Sequence, residues 1–301
     1  MLNARQTAER LPWHALVSEI VALLHDHSVT VPPRLVQALP GGGSLFVMPA
    51  LDSRVAITKL ITFTPGNAAR GQPTIQGDVV VFDIATGERA LVLDGPTVTA
   101  RRTAAVSALA ALRLAPNVRG PLLVVGAGVQ GKAHLEAFAA TLPLTQVKVA
   151  SRSAASAQQL VQHAQALGLQ ASVVALEDTD AALADCPLAI TCTPASGVVL
   201  RALPRADGFV CAVGAFTPGM VELGAPLCQH VATHGCVVVD TLDAVHEAGD
   251  LLQAGLDVSR FGTLAQVVRQ ASNKPAGPVL FKSCGWAGWD LAAARVALAY
   301  S

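Results

Sequence analysis

The fold is decided by the stretch Leu122–His134, which reads LLVVGAGVQGKAH. Four apolar residues, 122–125, run directly into a turn with glycines at positions 126, 128 and 131, and a helix-compatible segment follows. This order of strand, glycine turn and helix is typical of a dinucleotide-binding βαβ unit, although a purely structural turn is the alternative. In such a unit the first glycine permits the turn, the second lets the backbone approach a pyrophosphate, and the third lets helix pack on strand. The sequence therefore predicts cofactor contacts at Gly126, Ala127, Gly128, Val129, Gln130 and Gly131.

Downstream of the glycine turn, apolar runs alternate with helical stretches. A helix is predicted at 154–167, and the predicted strands are 147–150, 172–175, 188–191, 209–213 and 237–239. Strands separated by helices indicate a parallel sheet with right-handed crossovers. We therefore predict an α/β fold in which residues 116–285 form a Rossmann-type, doubly wound dinucleotide-binding domain.

The first hundred residues have a different pattern. Apolar residues at helical spacing predict one amphipathic helix over residues 5–27, which ends before Pro32 and Pro33. The other predicted elements are strands at 44–48 and 55–63, a hairpin of 79–84 and 90–93, and alanine-rich helices at 99–114 and 287–299. We expect a second α/β domain, mostly antiparallel, made of residues 1–115 with the C-terminal segment 286–301.

Composition narrows the class of partner. The 301 residues include 21 basic and 21 acidic side chains, so nothing favours binding to nucleic acid or to an anionic membrane. No apolar run is long enough to cross a bilayer, and the charged N-terminal stretch lacks the apolar core of a signal peptide, so we expect a cytoplasmic protein. The high apolar content of 52% suits buried parallel strands and a subunit interface.

The cysteine and histidine positions do not favour a metal site. The six cysteines form no CxxC pair, and we interpret them as reduced, buried thiols. His230 and His234 lie four residues apart with Cys236 close by, but the segment has no convincing further ligand. We therefore expect no metal.

The end of the second strand of the nucleotide unit bears on cofactor choice. NAD-selective sites usually place Asp or Glu here to bind the ribose 2′-hydroxyl, whereas this chain has Ser151, Arg152 and Ser153. Two hydroxyls and a guanidinium can bind a 2′-phosphate through charge-assisted hydrogen bonds. The sequence therefore favours NADPH over NADH, which stays possible, and a solvated Ser-Arg turn is the alternative.

Small residues, two of them threonines, lie at the ends of two later strands. Thr191 and Thr193 end one strand, and Gly214 and Ala215 end another. Ligands of open α/β sheets lie beyond the carboxyl ends of the strands, so we expect these residues near the nicotinamide half of the cofactor. An ordinary turn between strand and helix would have the same appearance.

Three cations in the first domain stand in apolar or hydroxyl-rich surroundings: Arg34, Lys59 and Arg102. A charge in the middle of a strand such as 57–63 is costly if it is buried without a partner, and a bound anion would supply that partner. For each residue taken alone, a solvent-facing side chain is the alternative.

Six motifs together resemble the ornithine cyclodeaminase/mu-crystallin family. They are MPA at 48–50, TKL at 58–60, TARRTAAVSALAA at 99–111, GAGVQG at 126–131, VGAFTPGMVEL at 213–223 and FKSCGWAGWDLAAA at 281–294. The resemblance covers nearly the whole chain. It implies a homodimer with an N-terminal substrate and dimerisation domain and a Rossmann domain for the nicotinamide cofactor.

The resemblance also implies roles for individual residues. Arg34 and Lys59 match substrate contacts, and Arg102 matches an arginine that contacts substrate and cofactor. Thr74 matches a cofactor contact. Ser283 and Cys284 match a segment near the nicotinamide and the substrate, so Ser283 is expected at the cofactor and Cys284 at the substrate.

One departure from the family pattern changes the expected reaction. The cyclodeaminases have an aspartate acid/base where this chain has Phe216, which can neither accept nor donate a proton. The resemblance therefore disfavours cyclodeamination and implies reduction of Δ1-pyrroline-2-carboxylate to L-proline, or of the six-membered Δ1-piperideine-2-carboxylate to L-pipecolate, as in trans-3-hydroxy-L-proline breakdown. Lys59 would be the catalytic residue, and Phe216 an apolar wall for the ring.

Two other functions stay open at this stage. One is an amino-acid dehydrogenase that acts on an open-chain 2-oxo acid and ammonia, such as an alanine dehydrogenase. The other is a non-catalytic protein that binds NADPH and a small ligand, as mu-crystallin does, although Lys59 and Arg102 argue against it.

Overall fold

The computed structural model describes residues 1–270 and 274–300. The chain forms two compact units. Unit 1 comprises Met1–Arg102 and Trp286–Ser301, and unit 2 comprises Thr103–Gly285. Ser301, the last residue of the predicted C-terminal segment, lies outside the described residues. Within the described ranges, no helix combines the length and the apolar character needed to cross a membrane.

The described residues form the following helices and strands. The α-helices are α1 (Ala4–Glu9), α2 (Trp13–His25), α3 (Gly95–Leu114), α4 (Val129–Thr141), α5 (Ala154–Ala166), α6 (Thr179–Asp185), α7 (Ala225–His234), α8 (Ala244–Glu247), α9 (Gly249–Gln253), α10 (Leu264–Gln270) and α11 (Ala287–Ala299). The strands are β1 (Leu35–Ala38), β2 (Ser44–Leu51), β3 (Val55–Phe63), β4 (Ile75–Asp83), β5 (Arg89–Asp94), β6 (Leu122–Val125), β7 (Gln146–Ala150), β8 (Gln170–Val174), β9 (Leu188–Thr191), β10 (Ser196–Leu200), β11 (Phe209–Ala212), β12 (Val221–Leu223), β13 (Cys236–Val239), β14 (Gly262–Thr263) and β15 (Val279–Lys282).

Unit 1 is built on an antiparallel sheet in the order β1-β2-β3-β4-β5. Side chains of β3 alternate between the two faces, so that Ile57, Lys59 and Ile61 are buried while Leu60 is exposed. Helix α11 packs against α2, β2 and β3. The predicted strands, the hairpin and the C-terminal helix are therefore confirmed, and Lys59 lies on the face of the sheet that α11 covers.

The single helix predicted over residues 5–27 is wrong. Two helices are present, α1 and α2, and Pro12 is the N-cap of the second. Proline has no backbone N–H to donate and fits only the start of a helix, so the helix is interrupted before Pro12. The apolar periodicity nevertheless continues on both sides of this interruption.

Unit 2 contains a parallel sheet of eight strands in the order β14-β13-β15-β11-β9-β6-β7-β8. Strands β6, β9, β11 and β15 are buried along their whole length, which explains why they read as continuous apolar runs. The predicted doubly wound α/β fold is confirmed.

The direction of strand order reverses at β6. From β6 the chain proceeds outward to β7 and β8, and then crosses to β9 on the other side of β6. Ligands of open α/β sheets bind beyond the carboxyl ends of the strands at such a switch point. The loops that follow β6 and β9 are therefore the expected place for a dinucleotide in unit 2.

Candidate functional site

Two glycines of the turn after β6 are required by the packing of unit 2. Gly126 has a φ of +114°, and a Cβ atom there would lie 2.5 Å from the carbonyl oxygen of Cys192. A Cβ atom on Gly131 would lie 1.9 Å from the carbonyl oxygen of Gly126. Only glycine fits at either position, because both contacts are with backbone atoms.

Gly128 differs, because no atom lies within 4 Å of the place where its Cβ would be. Its φ of −83° is open to any residue. It is the N-cap of α4, and no side chain of the described residues caps that helix end. The space over Gly128, together with the backbone N–H groups that begin α4, fits the close approach of a pyrophosphate.

The next residues of the turn have different surroundings. Val129 is 72% exposed, whereas the Oε1 atom of Gln130 is buried and forms no hydrogen bond within the described part of the chain. Farther along α4, buried His134 contacts the Ser107 hydroxyl through Nε2 at 2.9 Å and the Gln130 carbonyl through Nδ1 at 2.7 Å. Burial lowers the pKa of His134 to about 4, so its ring is neutral near neutral pH. The contact with Ser107 links α4 to α3.

In the segment after β7, the arginine is exposed and the two serine hydroxyls accept hydrogen bonds from nearby backbone N–H groups. The Ser153 hydroxyl is the N-cap of α5 and accepts a hydrogen bond from the Ser156 N–H at 3.2 Å. The Ser151 hydroxyl accepts from the Ser153 N–H at 3.4 Å. The Arg152 side chain is exposed. The two hydroxyls thus have a structural role besides the predicted contact with a cofactor, which stays a prediction.

A buried carboxylate, Glu222, joins the loops that follow β9 and β11. Its Oε1 accepts from the Thr193 N–H at 2.7 Å and the Thr193 hydroxyl at 2.8 Å. Its Oε2 accepts from the Thr191 hydroxyl at 2.9 Å and the Gly214 N–H at 2.6 Å. Both hydroxyls therefore donate to a carboxylate of the protein. Any cofactor contact of theirs stays a prediction.

Glu222 belongs to a buried ionic network. Its backbone N–H donates to Asp250 Oδ1 at 2.6 Å, and Asp250 Oδ2 pairs with Lys282 Nζ at 2.9 Å. Burial raises the pKa of Glu222. Burial disfavours the charged form of Lys282 most strongly, but the charges of Asp250, Cys284 and Glu222 and the Asp250 hydrogen bond together outweigh it, so the net pKa of Lys282 is raised. The network fixes the ends of β9, β11 and β15 in one arrangement.

A second buried carboxylate holds the loop after β15. Asp240 Oδ2 accepts from the Ser283 hydroxyl at 3.0 Å, the Cys284 N–H at 2.9 Å and the Gly285 N–H at 2.7 Å. Burial raises the pKa of Asp240. The Ser283 hydroxyl therefore has a structural partner, while the roles predicted for Ser283 and Cys284 stay predictions.

The remaining predicted contacts lie in loops. In unit 2, Ala215 is buried and Phe216 is 38% exposed, both in the loop after β11. In unit 1, Thr74 immediately precedes β4, and its carbonyl accepts from the Thr64 N–H at 2.7 Å. The roles predicted for Ala215, Phe216 and Thr74 at the cofactor or the substrate stay predictions.

In unit 1, Lys59 and Arg102 meet at one carboxylate. Asp290, in the first turn of α11, pairs with Lys59 Nζ through Oδ2 at 2.8 Å and with Arg102 Nε through Oδ1 at 3.1 Å. All three side chains are buried. The alternative that Lys59 and Arg102 face solvent is therefore wrong, and the partner that a buried Lys59 requires comes from the protein itself.

The surroundings of Lys59 change its pKa. Burial lowers the pKa of Lys59 from 10.5 to about 8. The Asp290 carboxylate opposes this change, while the positive charges of Arg102 and Arg34 add to it. Half-buried Arg34 is thus close enough to act on the Lys59 ammonium, and the three predicted cations share one region of unit 1.

The cysteines and histidines outside these clusters form no metal centre. Within residues 1–270 and 274–300, no group of three or more His, Cys, Asp or Glu side chains could hold a metal ion. The rings of His230 and His234 stack with centroids 4.6 Å apart. All six cysteines are free, and burial raises the pKa of both Cys211 and Cys228 to about 12, so neither is a reactive thiolate near neutral pH.

Sequence reasoning missed the buried charges that organise both units: Glu222, Asp240, Asp250, Lys282 and Asp290. A signal for two of them was present. Asp290 and Arg295 are the two charged residues of α11, and Lys282 directly follows three apolar residues of β15. Charged side chains in apolar segments are almost never fully buried unless they are paired, so such positions indicate an ionic partner.

Comparisons with known proteins agree with the motifs over the whole chain. The sequence profile of the ornithine cyclodeaminase/mu-crystallin family matches residues 2–298. Δ1-Pyrroline-2-carboxylate reductase 2 of Burkholderia ambifaria is 40% identical over 298 residues, which cover 98% of this chain and 94% of the relative. Δ1-Pyrroline-2-carboxylate/Δ1-piperideine-2-carboxylate reductase of Azospirillum brasilense is 38% identical over 300 residues, which cover 99% and 94%.

The fold also matches that of a solved structure. The Δ1-pyrroline-2-carboxylate reductase of Thermococcus litoralis, determined in complex with NADH and L-proline, aligns with a TM-score of 0.87 at 22% identity, covering 98% of this chain and 95% of that one. At this identity the likeness concerns the fold alone. The full-length profile match and the two relatives near 40% identity carry the assignment. The chain belongs to the ornithine cyclodeaminase/mu-crystallin family.

Proposed function

We propose that this protein is an oxidoreductase that reduces Δ1-pyrroline-2-carboxylate to L-proline, and Δ1-piperideine-2-carboxylate to L-pipecolate, with a nicotinamide cofactor. The observation that carries the proposal is the buried cluster of unit 1, where Lys59 and Arg102 share the single carboxylate of Asp290. Two buried cations and one carboxylate leave an excess of positive charge, which a bound anion neutralises. The substrates in the names of the two bacterial relatives are carboxylates with an adjacent C=N bond.

The guanidinium groups would hold the substrate carboxylate. Arg102 engages Asp290 through Nε, and its other two nitrogens form the fork that matches a carboxylate. Arg34 is half-buried and acts on the same ammonium of Lys59. Two arginines from different elements would fix both the position and the orientation of the ring.

Lys59 would supply the proton. Reduction of the imine adds a hydride to the ring carbon C2 and a proton to the ring nitrogen. Because burial lowers its pKa to about 8, the Lys59 ammonium is charged at neutral pH and yet releases its proton far more readily than an exposed lysine. Phe216 brings no acid or base, which agrees with reduction rather than cyclodeamination.

Unit 2 would hold the cofactor, which supplies the hydride when bound. The open space over Gly128 and the uncapped start of α4 suit the pyrophosphate. Exposed Arg152 would bind a 2′-phosphate, and no carboxylate stands in the segment 151–153 to repel it. We therefore propose NADPH as the preferred cofactor, with NADH as a slower alternative.

A homodimer would cover the outer face of the sheet of unit 1. Leu35, Val47 and Leu60 lie directly opposite one another on β1, β2 and β3, and Phe82 is on the same face of β4. Leu35 is 55% exposed, Leu60 44% and Phe82 37%. The row of Leu35, Val47 and Leu60 is contiguous, and exposed apolar rows of this kind mark an interaction surface, so we propose a second copy of the chain as its occupant.

The proposal is tested by following oxidation of NADPH and NADH with each cyclic imine. We expect rapid oxidation with both imines in the absence of ammonia, faster with NADPH. One control uses pyruvate with ammonia, the reaction of an alanine dehydrogenase. A second control incubates the protein with ornithine and oxidised cofactor and measures released ammonia, because cyclodeamination consumes no reduced cofactor overall. Oxidation that requires ammonia, or tight NADPH binding without turnover of either imine, would contradict imine reduction.

A further inference from the structure

The Asp290 carboxylate joins two cations that belong to different elements. Its Oδ2 contacts Lys59 Nζ of β3 at 2.8 Å, and its Oδ1 contacts Arg102 Nε of α3 at 3.1 Å. Asp290 is 0% exposed, and it occupies the first turn of α11. One carboxylate therefore sets the separation of the ammonium and the guanidinium.

We propose that Asp290 is a positioning residue that holds Lys59 in its charged form and fixes its distance from Arg102, so that Lys59 can protonate the substrate nitrogen. The proposal rests on the imine reduction proposed above. In the step itself, an N–H bond of the Lys59 ammonium breaks and an N–H bond forms at the ring nitrogen. The electron pair of the new C–H bond is that of the hydride, and the neutral Lys59 amine regains a proton from solvent.

The charge balance explains why Lys59 needs this carboxylate. The charged groups that act on Lys59 are Asp290 of α11, Arg102 of α3 and Arg34 of the segment before β1. Burial and the two arginines all favour the neutral amine, and Asp290 alone among these charged groups opposes them. Without the carboxylate, the pKa of Lys59 would fall below about 8, and a smaller fraction of the lysine would carry a proton at neutral pH.

The test compares Asp290→Asn with a matched control. Asp52→Asn makes the same chemical change at another buried carboxylate of unit 1, which pairs with Arg295 of α11 and lies outside the Lys59 cluster. Both variants lose a buried ion pair and should unfold at lower temperature. Only Asp290→Asn should change the titration of Lys59.

The first readout is the Lys59 titration in the protein without cofactor or substrate. The chain has five lysines, so protein labelled with carbon-13 at the lysine Cε gives a simple spectrum, and a Lys59→Arg variant assigns the signal. We expect the pKa of Lys59 near 8 in the wild type, lower by about 1 or more in Asp290→Asn, and unchanged in Asp52→Asn. The second readout is the alkaline limb of kcat/KM, which should move to lower pH by the same amount.

An Asp290→Asn variant with the wild-type Lys59 titration and the wild-type alkaline limb would overturn the proposal. If that variant does not fold, Asp290→Glu provides the test: it keeps the charge but moves the carboxylate by one methylene. We expect it to keep the pKa of Lys59 and to lose about tenfold in kcat, since a misplaced donor is a poorer one. A wild-type kcat would exclude the positioning role. Because the titration needs no substrate, it stays informative even if wild-type protein reduces neither imine.

Discussion

Gly128 and Gly131, three residues apart in the same turn, should respond in opposite ways to alanine. At Gly128 the new methyl group enters open space and the backbone is already in an ordinary conformation, so the free energy of unfolding should change by less than about 0.5 kcal/mol. At Gly131 the methyl carbon would lie 1.9 Å from a backbone oxygen, far shorter than an ordinary van der Waals contact of at least 3.4 Å. Helix α4 must then shift, and overpacking of this kind costs about 1–3 kcal/mol or more.

Cofactor binding separates the two positions more sharply. If the pyrophosphate lies against the Gly128 backbone, the methyl group of Gly128→Ala occupies its place, and the dissociation constant for NADPH should rise at least tenfold, about 1.4 kcal/mol. Fluorescence titration with NADPH measures this affinity, and urea unfolding followed by circular dichroism measures the stability of both variants. Wild-type NADPH affinity in Gly128→Ala, or wild-type stability in Gly131→Ala, would refute the assignment of this turn.

Three further predictions concern the charges and the outer sheet face. Burial lowers the pKa of Lys59 from 10.5 to about 8, so between these values the unfolded chain binds a proton that the folded protein has lost. Wild-type stability should therefore rise by about 3 kcal/mol from pH 8 to 10.5 relative to Lys59→Met, and urea unfolding at both pH values measures it. Arg152→Ala should raise KM for NADPH at least about tenfold and leave KM for NADH unchanged, whereas exposed Arg119→Ala should alter neither; equal effects on both cofactors would exclude a 2′-phosphate site. Leu60→Glu should give a monomer by light scattering, while Leu167→Glu, at a comparably exposed leucine of unit 2, should not; a dimeric Leu60→Glu variant would exclude this face as the interface.

The order of elements could be predicted because local patterns determine it. The glycine turn after β6 and the alternation of apolar strands with helices specify the parallel sheet without any knowledge of distant contacts. Two local features are hard to predict: the end of α1 before Pro12 and the presence of strand β1. Pro12 interrupts an apolar periodicity that continues on both sides of it. Strand β1 is short, and all four of its residues are exposed, so it has no alternation to detect.

The candidate sites could be predicted only in part, because ionic partners come from distant parts of the sequence. The sequence indicates Lys59 and Arg102 as candidates, but nothing near them in the chain reveals that Asp290 pairs with both. Likewise nothing near Thr193 and Gly214 in the chain indicates that each donates to Glu222, while their predicted contacts with a cofactor stay a prediction. Burial of a carboxylate depends on tertiary packing, so local sequence identifies the polar residues but not their partners.

In the proposed reaction, a hydride reaches C2 of a cyclic imine whose carboxylate is held by unit 1. The deciding experiment uses NADPH that carries deuterium at both C4 positions of the nicotinamide with Δ1-pyrroline-2-carboxylate, followed by mass spectrometry and chiral analysis of the product. We expect L-proline with one deuterium at C2, formed without ammonia. Proline without deuterium, or no proline at all, would contradict the proposed reaction.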